Sequence, residues 1–135
     1  MTDILIGLGQ SLAVVGSRTF NDEKLCHEII EDVIEEYDLE IAKFVSGGAK
    51  GADTFGEHWA DLHNIEKQIF YPDWQTYGKR AGFLRNIDII KNCDVCIAFW
   101  DGQSHGTKHD IELCEKYKKK CIVYNYVTDD LYEHC

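Results

Sequence analysis

One stretch limits the fold more than any other. An apolar run, Ile41 to Val45, stops at Ser46-Gly47-Gly48-Ala49-Lys50-Gly51-Ala52-Asp53, and a helical pattern follows from Ala52 to His63. Three glycines in five positions remove side chains where the backbone must turn tightly or approach another group closely. A strand, a glycine turn and a helix start in this order form an anion site. The first N–H groups of the helix point into the turn, and the helix dipole favours negative charge there. Lys50 adds a positive charge within the loop. Taken alone, the same stretch also reads as a tight turn without a ligand.

Similar junctions recur along the chain. Ser11 to Val15 is a Val-rich strand that ends in Gly16-Ser17-Arg18-Thr19. Asn21 or Asp22 caps a helix to about Tyr37, with Leu25, Ile29, Ile30, Val33, Ile34 and Tyr37 on one face. Ile65 to Tyr71 reads as a third strand, stopped by Pro72-Asp73-Trp74. Gln75 to Gly82 reads as a loop and Phe83 to Lys91 as a helix. Val95 to Trp100, almost free of polar residues, is a strand covered on both faces. The turn Asp101 to Thr107 leads into a helix to about Lys118, and a strand runs from Cys121 to Tyr126. Ile4 to Leu8 is a weak strand candidate, and Val127 to Cys135 reads as a loose tail. Strands alternating with helices imply an α/β chain with a mostly parallel sheet and helices on both faces. Ligands of such sheets bind outside the carboxyl ends of the strands, where all these turns lie.

The length of 135 residues fits one domain, residues 1–135. No stretch has the apolar length of a membrane span, and the first residues lack the pattern of a secretory signal, so a cytoplasmic protein is expected. The six cysteines fall in strand-like and helical patterns and read as buried hydrophobes or free thiols. Cys93-Asp94-Val95-Cys96 has no second pair to complete a zinc site. Formal net charge is −10, which argues against a general nucleic-acid binder. The acid is concentrated, however. Residues 22–40 hold nine acidic residues against Lys24 alone, which leaves the rest of the chain near −2. That acidic helix face is a solvated surface or, on another reading, a partner site.

Six of the fourteen basic residues, Arg18, Lys50, Lys79, Arg80, Arg85 and Lys108, sit at the turns, and two or three are expected to share a pocket. Arginine forks and glycine-turn N–H groups suit phosphate. Trp74, in a polar loop, is a stacking candidate, whereas Phe83 and Trp100 read as core. His105 and His109 are spaced to meet on one helical face; a hydrogen-bonding role is expected and no metal.

Gly16-Ser17-Arg18, Ser46 to Asp53, Asp73-Trp74, Gly78, Ala81-Gly82, Leu84-Arg85-Asn86, Phe99-Trp100-Asp101-Gly102 and Ser104-x-Gly106-Thr107-Lys108-His109 together resemble the YspA-like branch of the SLOG superfamily. The resemblance spans roughly residues 11–126. It implies a Rossmann-like three-layer sandwich, a homo-oligomer, and a nucleotide or nucleotide-derived ligand. It links the chain to DNA-processing DprA proteins and to LOG phosphoribohydrolases, which cleave nucleoside 5′-monophosphates at the N-glycosidic bond. The LOG motif, Pro-Gly-Gly-x-Gly-Thr-x-x-Glu, aligns with Asp101 to Asp110. Here the proline and second glycine are missing, and Asp110 stands at the glutamate position. An aspartate reaches about 1.5 Å less far, one carbon–carbon bond. Arg85 matches the essential LOG arginine by its place in the preceding helix.

The site expected from these readings has Arg85 and Asp110 in catalytic positions. The ligand would lie against Gly16, Ser17, Arg18, Ser46, Gly47, Gly48, Ala49, Lys50, Gly51, Asp53, Trp74, Asp101, Gly102, Ser104, Gly106 and Thr107. No cofactor is expected. The leading function is binding of a phosphorylated nucleoside or nucleotide-derived signal. The alternatives are an N-glycosidic hydrolase and a protein-interaction module that needs no nucleotide.

Overall fold

A computed structural model describes residues 9–135 of the chain, so the candidate strand Ile4 to Leu8 lies outside the described residues. The elements alternate as expected: β1 (Gln10–Gly16), α1 (Glu23–Glu36), β2 (Ile41–Ser46), α2 (Ala52–Leu62), β3 (Glu66–Ile69), α3 (Trp74–Tyr77), α4 (Ala81–Lys91), β4 (Val95–Trp100), α5 (His105–Lys116), β5 (Lys120–Asn125) and β6 (Asp130–Glu133). The six strands form one sheet in the order β3-β2-β1-β4-β5-β6. The first five are parallel, and β6 runs antiparallel to β5.

Side chains of β1 alternate between two cores, as the two-residue period of a strand requires. Leu12 and Val14 face α1 and α2, packing with Ile30, Val33, Phe44 and Trp59. Ala13 and Val15 face α4 and α5, packing with Ile89, Ile90, Ile111 and Cys114. The expected three layers result. Residues such as Phe44 and Ile97 are fully buried, each burial stabilising the fold by about 1.5–3 kcal/mol. Asp22 is the cap of α1, its carboxylate accepting from the Leu25 N–H at 3.0 Å. Five cysteines are buried free thiols and Cys135 is exposed. Burial pushes the Cys93 thiol up to about 12, so it is a poor nucleophile.

Two segments differ from the sequence reading. Part of the loop after Pro72 is helical: Asp73 accepts from the Thr76 N–H at 3.1 Å and starts α3, and a 3-10 turn, Gly78–Arg80, leads directly into α4. The tail is not loose. Asn125 Oδ1 accepts from the N–H groups of Val127 and Thr128, and the turn returns β6 along β5.

The strand order reverses between β1 and β4. From β1 the chain winds outward through β2 and β3, then crosses back to lay β4 on the other side of β1. The loops after β1 and β4 leave in opposite directions and open a crevice at their carboxyl ends.

Candidate functional site

The crevice holds a cavity of about 470 Å³, within the range of small-molecule sites. Its wall on the β1 side is Gly16-Ser17-Arg18. A Cβ on Gly16 would lie 2.6 Å from Ala52 Cβ and 3.1 Å from the Phe99 carbonyl oxygen. Glycine here lets the start of α2 close onto the sheet. The Ser17 N–H donates to the Phe99 carbonyl at 3.0 Å. Its hydroxyl lies 3.1 Å from Ser104 Oγ and 3.3 Å from Thr107 Oγ1, and Ser104 and Thr107 are themselves 3.2 Å apart. This triangle of hydroxyls joins the end of β1 to the first turn of α5. Asp101 Oδ1 accepts from the N–H groups of Gln103 and Ser104 at 2.9 and 2.7 Å. These bonds hold its carboxyl below the usual range.

The glycine loop after β2 is tied to itself. Asp53 Oδ2 accepts from the Gly47 N–H at 3.0 Å and the Ala49 N–H at 3.4 Å. The Gly48 N–H donates to Ser46 Oγ at 3.2 Å, and Ser46 in turn donates to Glu57. The sequence reading gives loop amides to an anion; in the structure three of them bond Asp53 and Ser46. Positive charge therefore comes from side chains.

Arg85 reaches in from α4. Its Nη1 donates to the Gly47 carbonyl at 2.5 Å and its Nε to Asn86 Oδ1 at 3.1 Å. Two buried carboxyls, Asp53 and Asp110, share this neighbourhood. Burial pushes Asp53 up to about 6, against the pull of Arg85 and the two loop amides. Burial also raises Asp110 well above the usual carboxyl range, and the charge of Asp53 adds to the shift, while Arg85 opposes it. Asp110 Oδ1 is buried without a hydrogen-bond partner, a costly state unless a ligand or its own proton relieves it.

Of the residues expected at the site, the cavity is lined by Gly16, Ser17, Arg18, Ala49, Lys50, Asp53, Trp74, Arg85, Asp101, Ser104, Gly106, Thr107 and Asp110. Gly47 and Gly48 line an adjoining cavity of about 420 Å³ with Tyr71 and Pro72. Ser46, Gly51 and Gly102 line neither. Three of the six turn cations, Arg18, Lys50 and Arg85, face the cavities; Lys79, Arg80 and Lys108 do not. Asn86, Thr19, Gly82 and Ile89 also line the main cavity. Asn86 was the most accessible of these to sequence reasoning, since it adjoins Arg85. Trp74 is 57% exposed at the rim. Phe83 is not core: it is 54% exposed and stacks on His109 with ring centroids 4.0 Å apart. Its face of α4 turns toward α5 rather than the sheet. Trp100 is half-buried and packs against the α4–α5 core.

A doubly covered parallel sheet with a cavity at its switch point defines a Rossmann-like protein. The particular family follows from comparison. A model of the YspA, cpYpsA-related SLOG family matches residues 11–77. The Gene 61 protein of Mycobacterium phage D29 is 34% identical over 111 residues, covering 76% of this chain and 86% of that protein. The chain belongs to this SLOG family. Among solved structures, DNA processing protein A (DprA) from Streptococcus pneumoniae superposes with a TM-score of 0.66 at 21% identity, over 86% of this chain. The chain spans about half, 50%, of that protein's length, and the likeness is one of fold. Membership of this family supports a nucleotide-related ligand-binding role. Among the described residues no helix is long and apolar enough to cross a membrane. Nor, among them, does any group of three His, Cys, Asp or Glu side chains form a metal site.

Proposed function

We propose that residues 1–135 act as one SLOG-like domain that binds a phosphorylated nucleoside or nucleotide-derived signal at the carboxyl edge of the sheet. One observation carries this reading: Arg18, Lys50 and Arg85 converge on one cavity of a protein whose formal net charge is −10. Three cations gathered against the overall charge suit an anionic ligand group. The hydroxyls of Ser17, Ser104 and Thr107 suit a sugar, and the exposed face of Trp74 suits a base. We further propose a cytoplasmic location and, by family resemblance, a homo-oligomer. The test is mass spectrometry of small molecules released by denaturing the purified protein. A phosphorylated nucleoside derivative is expected from the wild type and not from Arg85→Ala. A released ligand without phosphate, or one kept equally by Arg85→Ala, contradicts the reading.

A second reading is favoured by the unpartnered oxygen of Asp110. In it the protein hydrolyses the N-glycosidic bond of nucleoside 5′-monophosphates. Arg85 orients the phosphorylated substrate, and Asp110 supplies the carboxyl group for proton transfer as water adds to the sugar and the base departs. Chromatography of nucleoside monophosphates incubated with the protein separates the readings. A hydrolase releases free base, loses that activity in Asp110→Asn, and keeps or raises it in Asp110→Glu. The binding reading predicts no base from any of the common monophosphates, and at most a change of affinity in Asp110→Asn.

A further inference from the structure

The two cavities are halves of one larger site. They share Arg18, Ala49, Lys50, Trp74 and Arg85, so the border between them holds all three cations. Their chemistry differs on either side of that border. The first half contains the carboxyls of Asp53, Asp101 and Asp110. The second has no carboxylate in its lining; its walls are Tyr71, Pro72 and the glycine loop. A Cβ on Gly48 would lie 2.9 Å from Tyr71 Cε1, so the ring lies directly against the loop backbone and forms part of the wall of the second half. Tyr71 is 72% exposed and Trp74 57% exposed. Two large aromatic side chains left open beside a cationic border are suited to stack on a ring.

From this division we propose that the ligand is bipartite: a nucleotide whose phosphate is joined to a second ring-bearing group, as in a dinucleotide. The phosphate bridge lies on the border cations. The nucleoside half occupies the hydroxyl- and carboxyl-lined cavity, and the second ring enters the half lined by Tyr71 and Trp74. This rests on the phosphorylated-ligand reading above and extends it, because a mononucleotide leaves the second half, about 420 Å³, without a ligand group. Border cations alone do not require two halves. The change from a polar, acid-containing wall to an aromatic, acid-free one does, since one small ligand cannot match both.

The experiment compares affinities by titration calorimetry for the four common nucleoside 5′-monophosphates and the matching symmetrical dinucleoside diphosphates. These probes carry similar charge, so phosphate attraction cancels in the ratio. The dinucleotide with the preferred base is expected to bind about tenfold or more tightly than its mononucleotide, the gain from one stacked ring. In Tyr71→Ala that ratio is expected to collapse toward one; a general loss of fold would weaken both probes and leave the ratio standing. Equal affinities in the wild type, with the monophosphates binding, would overturn the bipartite ligand and leave the phosphorylated-ligand reading intact. A ratio that survives Tyr71→Ala would also overturn it. If no monophosphate or dinucleotide binds, both readings fall.

Discussion

Two carboxyl groups in the first half of the site are buried to the same degree, 6% exposed each, and have opposite circumstances. Asp53 stands in the first turn of α2 and uses Oδ2 to hold the Gly47 and Ala49 amides. Asp110 stands near the middle of α5 with Oδ1 unpartnered. Arg85 lies within electrostatic reach of both. The difference is one of partners: Asp53 builds the wall, and Asp110 keeps an oxygen without a partner, which the proposed function gives to the ligand. Most of the positive potential of the glycine loop is used internally, so the proposed function assigns phosphate recognition to Arg18, Lys50 and Arg85.

The largest expected effect comes from Asp53→Ala. It orphans two loop amides, at about 1–3 kcal/mol for each unsatisfied buried group. Chemical denaturation should show a loss of about 2–4 kcal/mol. A loss below about 0.5 kcal/mol, the usual range of an uninvolved surface position, would remove the clamp from the account. Next is Arg85→Ala, expected to weaken a phosphorylated ligand by about 1.5–3 kcal/mol. Dephosphorylated analogues should change far less, as calorimetry would show.

Gly47→Ala sharpens the same comparison. The new methyl would lie 2.8 Å from Arg85 Cδ and from Ile89 Cδ1, so one of them must move. Overpacking of this kind costs about 1–3 kcal/mol, and affinity should fall with stability because Arg85 is the freer of the two. The smallest effect is that of Asp110→Asn on stability, expected within about 0.5 kcal/mol because the amide keeps the shape of a carboxyl whose charged form burial already disfavours.

Asp53 also gives a pH signature. Its folded value of about 6 lies above the ordinary 3.8, so between these values the folded chain keeps a proton that the unfolded chain has released. Its contribution to stability is therefore fully present below about pH 4 and is lost as pH rises toward 6. Burial raises the Asp110 carboxyl too, so it acts in the same sense. Denaturation curves across this window should show that trend weakened in Asp53→Asn; a trend unchanged by the substitution would assign it to other groups.

Much of the fold is legible in the sequence because strands and helices differ in period. The run Val95 to Trp100 and the apolar face of α1 declare themselves locally. The missed elements lack that signal. β6 is Asp-Leu-Tyr-Glu, polar and exposed, and exists through pairing with β5. α3 has four residues, too few for a period. At the site, residue types were legible and their allegiances were not. Lys50 and Lys108 look alike beside a turn, yet only Lys50 faces the cavities. The inward direction of the loop amides depends on where Asp53 points, and the isolation of Asp110 depends on α2 and α4 closing around it. Those are tertiary facts.

The central claim is that this edge of the sheet reads phosphate through side-chain cations. It is tested most directly by calorimetric titration of the wild type and Arg85→Ala with a nucleoside 5′-monophosphate and the same nucleoside without phosphate. The account predicts that the wild type prefers the phosphorylated form by at least about tenfold, the scale of one charge-assisted bond, and that Arg85→Ala loses most of that preference. Equal affinity of the wild type for the two forms, or a preference undiminished in a folded Arg85→Ala protein, would contradict it.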